Sequence, residues 1–114
     1  MLHPADAPRV SWVERCLKDH AGPVVAATDY IKTFAEQIRP FLPAGRRYRV
    51  LGTDGFGRSD TREKLREFFE VDRRWVALAA LKALADQGEI KASVVAEAIK
   101  KYGIDPNKPN PATV

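Results

Sequence analysis

At 114 residues, 45% of them apolar, the chain has material for one compact domain and no more. Charged residues make up 30% of it, and its longest apolar stretch, Trp75 to Leu81, is far too short to span a bilayer. The net charge of +4 permits an anionic partner, but acids and bases alternate along Asp60-Thr61-Arg62-Glu63-Lys64-Leu65-Arg66-Glu67, the pattern of a solvated helix face and not of a nucleic-acid footprint.

The first element in chain order is a helix over about 11–18. Ser11 is placed to cap it, Glu14 sits three positions on at capping-box spacing, and Val13, Cys16 and Leu17 form an apolar stripe. Lone Cys16 has no disulfide partner within the chain and reads as a small buried apolar group. His3 and His20 belong to no spaced ligand cluster, so no metal site is expected. The start, Met1 to Asp6, lacks the basic and apolar segments of a secretory signal, which points to a cytoplasmic protein.

Gly22-Pro23 closes that unit. Val24-Val25-Ala26-Ala27 then reads as a short strand covered on both faces. Thr28 or Asp29 is positioned to cap a second helix with Tyr30, Ile31, Phe34, Ala35 and Ile38 on one side, which Pro40 and Pro43 bring to an end. Arg47 to Leu51 gives a second strand. The order strand, helix, strand predicts parallel pairing with a right-handed crossover. Arg46, Arg47 and Arg49 form the one compact basic group free of acids.

The run Gly52-Thr53-Asp54-Gly55-Phe56-Gly57-Arg58-Ser59-Asp60-Thr61-Arg62 follows, where an apolar strand gives way to a charged helix. Its three glycines predict sharp bends with positive φ, and Asp60 with Glu63 predicts a capped helix carrying Leu65, Phe68 and Phe69. The run does not bind phosphate in any familiar way: it has no Gly-Lys-Ser/Thr signature, misses dinucleotide spacing, and sets Asp54 and Asp60 where an anion would sit. Those aspartates read better as members of an ion-pair network with Arg58 and Arg62 than as an acid-base pair. Phe56, flanked by glycines, is the expected interface anchor.

Asp72 is placed to cap a longer helix from Arg73 to Gln87, stopped by Gly88, and a last helix runs from about Ser93 to Tyr102. Trp12 and Trp75 lie among aliphatic residues and are expected in core or interdomain packing. The tail, 105–114, with three prolines, is expected to be extended or disordered unless it docks. The fold class is therefore α/β: a small, mainly parallel sheet with strands near 23–28 and 47–52, about five helices, and a domain ending near residue 104. Two parallel strands make a poor sheet, because buried strands need neighbours at both edges.

Gly22 to Tyr30, Phe34 to Arg39, Leu51 to Arg62 and Phe68 to Asp72 together resemble the carboxyl-terminal end of the homodimeric, bacterial type of pyruvate dehydrogenase, its decarboxylating component. The shorter Asp54-Gly55-Phe56-Gly57-Arg58-Ser59 also resembles the last domain of transketolases. The resemblance covers nearly the whole chain and implies a much longer parent polypeptide in which thiamine diphosphate and magnesium bind between two earlier domains. It implies no catalytic, cofactor-binding or metal-binding residue in this segment, which would begin after the domain's first strands. The loop residues Asp54, Gly55, Phe56, Gly57, Arg58, Ser59, Asp60 and Arg62 are then structural or interfacial. The implied partners are the remaining domains, the second subunit of a dimer and the lipoyl acyltransferase of the complex, with no nucleic acid and no membrane. The competing expectation is a free-standing binding or regulatory module of the same fold.

Overall fold

Val24–Ala27 (β1) and Tyr48–Leu51 (β2) pair in parallel, Val24 opposite Tyr48 and Ala27 opposite Leu51, in the computed structural model, which describes residues 2–114. Met1, the first residue of the expected domain, lies outside the described residues. Among the described residues the sheet has these two strands only. Because successive side chains alternate across a strand, Tyr48 and Val50 face one way while Val25 and Leu51 face the other.

The first face is covered by Lys32–Glu36 (α2), joined to the sheet by the Tyr48 hydroxyl, which donates to Ala35 O at 2.6 Å. Burial raises the pKa of that hydroxyl, as does the nearby Glu36 carboxylate, against an opposing effect of Arg39. The second face meets Arg62–Phe68 (α3) and Arg73–Asp86 (α4), where Leu51, Phe69 and Val71 form the core with Val25, Leu65, Phe68, Trp75, Val76 and Ala79 against them. Ala92–Lys101 (α5) packs on α4. A first helix, Trp12–Leu17 (α1), stands apart from this body, and short 3₁₀ turns follow at Arg39–Phe41 and Pro111–Thr113. Among the described residues, five α-helices and a small parallel sheet match the α/β architecture read from the sequence.

Caps explain most boundaries. Ser11 Oγ accepts from Glu14 N at 3.1 Å, as the capping-box spacing requires, and also donates to Phe41 O. At the far end of α1 the Arg46 guanidinium donates to Leu17 O, His20 O and Gly22 O. Arg47 donates to Asp86 O at 3.0 Å. Two members of the basic triplet are therefore committed to backbone carbonyls.

Two helix starts and the burial of α1 differ from the sequence reading. Helix α2 begins at Lys32, and neither Thr28 nor Asp29 caps it: Thr28 Oγ1 accepts from Tyr30 N and so holds a turn, a competing use of a short hydroxyl. Helix α3 is capped by Thr61, whose Oγ1 accepts from Lys64 N, while Asp60 turns back to accept from Thr61 N. Cys16 is exposed rather than buried, and Trp12 is 71% exposed with the Arg15 guanidinium 5.3 Å from its ring centroid, so neither joins the core; α1 has no second layer to pack against.

The tail docks. Lys108 Nζ donates to Phe68 O at 2.8 Å and pairs with Glu70 at 3.0 Å, and Pro111 is buried. Glu70 itself sits at φ 65, the left-handed residue that ends α3, with Val71 N closing the motif onto Arg66 O.

The body is thinly packed for its size. Val71, 1% exposed, is the one large side chain fully enclosed among the described residues. The exposed area of 8585 Å² exceeds the ~6,200 Å² of a compact monomer of this mass. The radius of gyration, 17.0 Å, compares with about 13 Å for a compact domain of this length. No helix is long and apolar enough to cross a membrane among the described residues.

Helix α4 gives a direct test of the capping argument. Asp72 accepts from Arg74 N at 2.9 Å and Trp75 N at 3.1 Å and from the Arg74 guanidinium at 2.7 Å. Burial alone would raise its pKa, but these donors outweigh burial and hold it below the ordinary 3.8. The contribution is therefore complete above that ordinary value and is lost as pH falls through the depressed folded value. Asp72→Ala is expected to cost about 1 kcal/mol at neutral pH. Asp72→Asn, which keeps an acceptor, should flatten the acid limb of stability measured by urea titration against pH.

Candidate functional site at the glycine-rich junction

The end of β2 is bound to the end of β1 before the glycine-rich run turns away. Thr53 N donates to Tyr30 O at 2.9 Å, and Thr53 Oγ1 donates to Asp29 O at 3.2 Å. Asp54 Oδ1 then accepts from Lys32 N at 2.9 Å, with Lys32 Nζ 4.0 Å from the other oxygen. Asp54 thus supplies from across the sheet the cap that neither Thr28 nor Asp29 provides.

The three glycines have different reasons to be there. At Gly52 a Cβ would stand 2.8 Å from both Lys32 N and Tyr30 O, so the backbones touch and leave no room for a side chain. Gly55 is the one glycine of the run with positive φ, at 112°, and it lies against the docked tail, where a Cβ would meet Pro111 O at 2.5 Å. Gly57 satisfies neither condition. The positive φ expected of the turn is found at Gly55, and Gly52 and Gly57 do without it.

Beyond Gly55 the loop borders a cleft of about 550 Å³ with α3 and the β1–α2 turn. Gly55, Phe56, Gly57, Arg58, Asp60 and Arg62 line it; Asp54 and Ser59 do not. Residues outside the predicted run complete it: Asp29, Leu65, Arg66 and Phe69. Arg62 and Arg66 follow i,i+4 spacing on α3 and converge on Asp29, at 3.5 and 3.1 Å. That spacing was the available signal. Asp29 could be joined to it only through the strand pairing.

The expected ion-pair network of Asp54 and Asp60 with Arg58 and Arg62 does not form. Asp54 serves Lys32, Asp60 serves Thr61 N, and Arg62 reaches Asp29. Arg58 lies over the Phe68 ring, 4.1 Å from its centroid. Phe56 is 80% exposed at the rim. The cleft joins guanidinium groups to an apolar floor, a composition suited to recognition. No group of three or more His, Cys, Asp or Glu side chains is placed to hold a metal ion among the described residues.

A parallel strand pair with helices on both faces and this glycine-rich turn defines a class. Residues 5–72, more than half of the chain, match the family described as the transketolase-like TK C-terminal domain, and the chain belongs to that family. It is 70% identical over 114 residues to the pyruvate dehydrogenase E1 component of Cupriavidus necator. It is 66% identical over 110 residues to that of Pseudomonas aeruginosa and 57% identical over 111 residues to that of Escherichia coli K12. These alignments take in 100%, 96% and 97% of the chain but 12% of each relative, at the carboxyl-terminal end.

The close approach at Gly52 predicts a specific sensitivity. Gly52→Ala is expected to destabilise by about 1–3 kcal/mol, because the obstructing atoms are backbone and cannot rotate away. Gly57→Ala, with open space around it, should stay within about 0.5 kcal/mol of the parent. Equal midpoints for the two variants in denaturant unfolding would contradict the packing assigned to Gly52.

Proposed function

We propose that the chain is the non-catalytic, carboxyl-terminal part of a thiamine-diphosphate-dependent pyruvate dehydrogenase. The complete enzyme decarboxylates pyruvate and reductively acetylates a lipoyl group on its acyltransferase partner, in the cytoplasm. The observation that carries this reading is identity of 70% along all 114 residues to a relative of which they make up 12%.

The chain's own chemistry supports a structural role. Magnesium takes oxygen ligands, and no group of three or more His, Cys, Asp or Glu side chains is placed to hold a metal ion among the described residues. Asp54 and Asp60 already accept backbone hydrogen bonds. Asp54 and Asp60 are thus not free to hold a metal, and the reading assigns the cofactor and its metal to other domains. The exposed area, some 2,400 Å² above that of a compact monomer, is on the scale of a permanent interface. Covering it is the task proposed for the remaining domains and the second subunit.

Two measurements test the reading. The intact mass of the endogenous polypeptide is expected to be several times 12.7 kDa; a native species at 12.7 kDa would replace this reading with that of a free-standing module. With pyruvate, thiamine diphosphate, magnesium and an artificial electron acceptor, the 114-residue chain is expected to give no acceptor reduction above the blank, whereas the complete enzyme turns over. Turnover by the short chain alone would overturn the assignment.

A further inference from the structure

The cleft beside the glycine-rich loop holds more positive charge than the chain's own acids neutralise. Arg58, Arg62 and Arg66 line it against Asp29 and Asp60. Asp29 is divided between Arg62 and Arg66, and Asp60 is turned to the amide of Thr61. Arg58 has no acid within ion-pair distance among the described residues and rests on the Phe68 ring. Although Arg66 Nε lies 3.1 Å from Asp29 Oδ1, it is buried with no acceptor aligned for a hydrogen bond.

The rim is held in shape. Gly55 is packed against Pro111, and Lys108 fixes the tail to Phe68 O and Glu70, so the loop presenting Phe56 is braced from behind. A braced loop loses little freedom on docking. Arginine and exposed aromatic residues are the types that carry interface energy when a partner excludes water from them.

We infer that this cleft receives an acidic side chain carried on an apolar segment of the rest of the same enzyme. The carboxylate sits among Arg58, Arg62 and Arg66, and its apolar neighbours cover Phe56. The inference rests on the proposed function. Charge complementarity selects an acid, and the alignments, which take in 12% of each relative, leave most of the same protein outside this chain to supply it.

Arg58→Lys in the complete enzyme supplies a test, since a zero-length carbodiimide joins an amine to a carboxylate only where the two touch. The expected product is an amide between position 58 and an Asp or Glu outside these 114 residues, located by peptide mass spectrometry. Arg73→Lys, at an exposed position on α4, should give no such link. A link confined to Asp29 or Asp60, a link into the acyltransferase, or none at all in a variant with parental circular dichroism would overturn the inference. Arg58→Glu gives a second reading: amide exchange over 56–62 in the complete enzyme is expected to rise at least tenfold, and unchanged exchange would count against the cleft being covered. A native mass of 12.7 kDa would instead defeat the proposed function itself, so the two failures are separable.

Discussion

The fold depends on a backbone contact at the carboxyl ends of two parallel strands. Gly52 lies directly against Tyr30 O and Lys32 N, Thr53 hydrogen-bonds the turn leaving β1, and Asp54 caps α2. A two-stranded sheet is marginal by itself. Here the strands are held by their own ladder and by a crossed connection in which the chain leaving β2 completes the helix that follows β1. The helix on one face, the strand pair and the loop leading to the other face are thereby fixed by three consecutive residues. No side chain larger than hydrogen at position 52 allows the approach that the other two contacts require.

Tightness at that junction contrasts with looseness elsewhere. Large side chains such as Tyr30, Phe34 and Phe41 remain about half exposed, Tyr30 and Phe34 packing edge to face on each other at 4.9 Å for want of another neighbour. Polar groups take over where apolar layers are thin: one arginine holds the end of α1, and Arg39 clasps Glu36 while donating to Tyr48 O. The Arg39 pair lowers the Glu36 pKa, mainly through their hydrogen bond, but at an exposed site such a pair adds little stability.

Much of this was legible in the sequence because it is local. Strand positions, the Ser11 and Asp72 caps and the long helix before Gly88 follow from periodicity and short-range hydrogen bonding. The caps that misread failed in two ways: Thr28 and Asp29 gave way to Asp54, a partner distant in sequence, and Asp60 gave way to its neighbour Thr61, where two short polar residues compete for one helix start. Asp54 lies 22 positions from the amide it accepts from. Nothing in a window of ten residues links them. Cys16 was misplaced because an apolar stripe says only that a face will be covered, not that this chain covers it, and of the two settings expected for Trp12 the core of this chain is not the one it takes.

The candidate site shows the same division. Gly55, Phe56, Arg58, Asp60 and Arg62 stand out in one run, yet their cleft exists only because strand pairing brings Asp29 to α3 and the tail returns to Gly55. The tail had been free to be disordered on composition alone. Its docking depends on Lys108 finding Glu70 in a left-handed position where glycine would be the usual residue. Glutamate there sacrifices backbone ease for a side chain able to reach Lys108. That exchange is reasonable only if the tail must be held, and holding the tail is what keeps Gly55 packed and the Phe56 loop in a single shape.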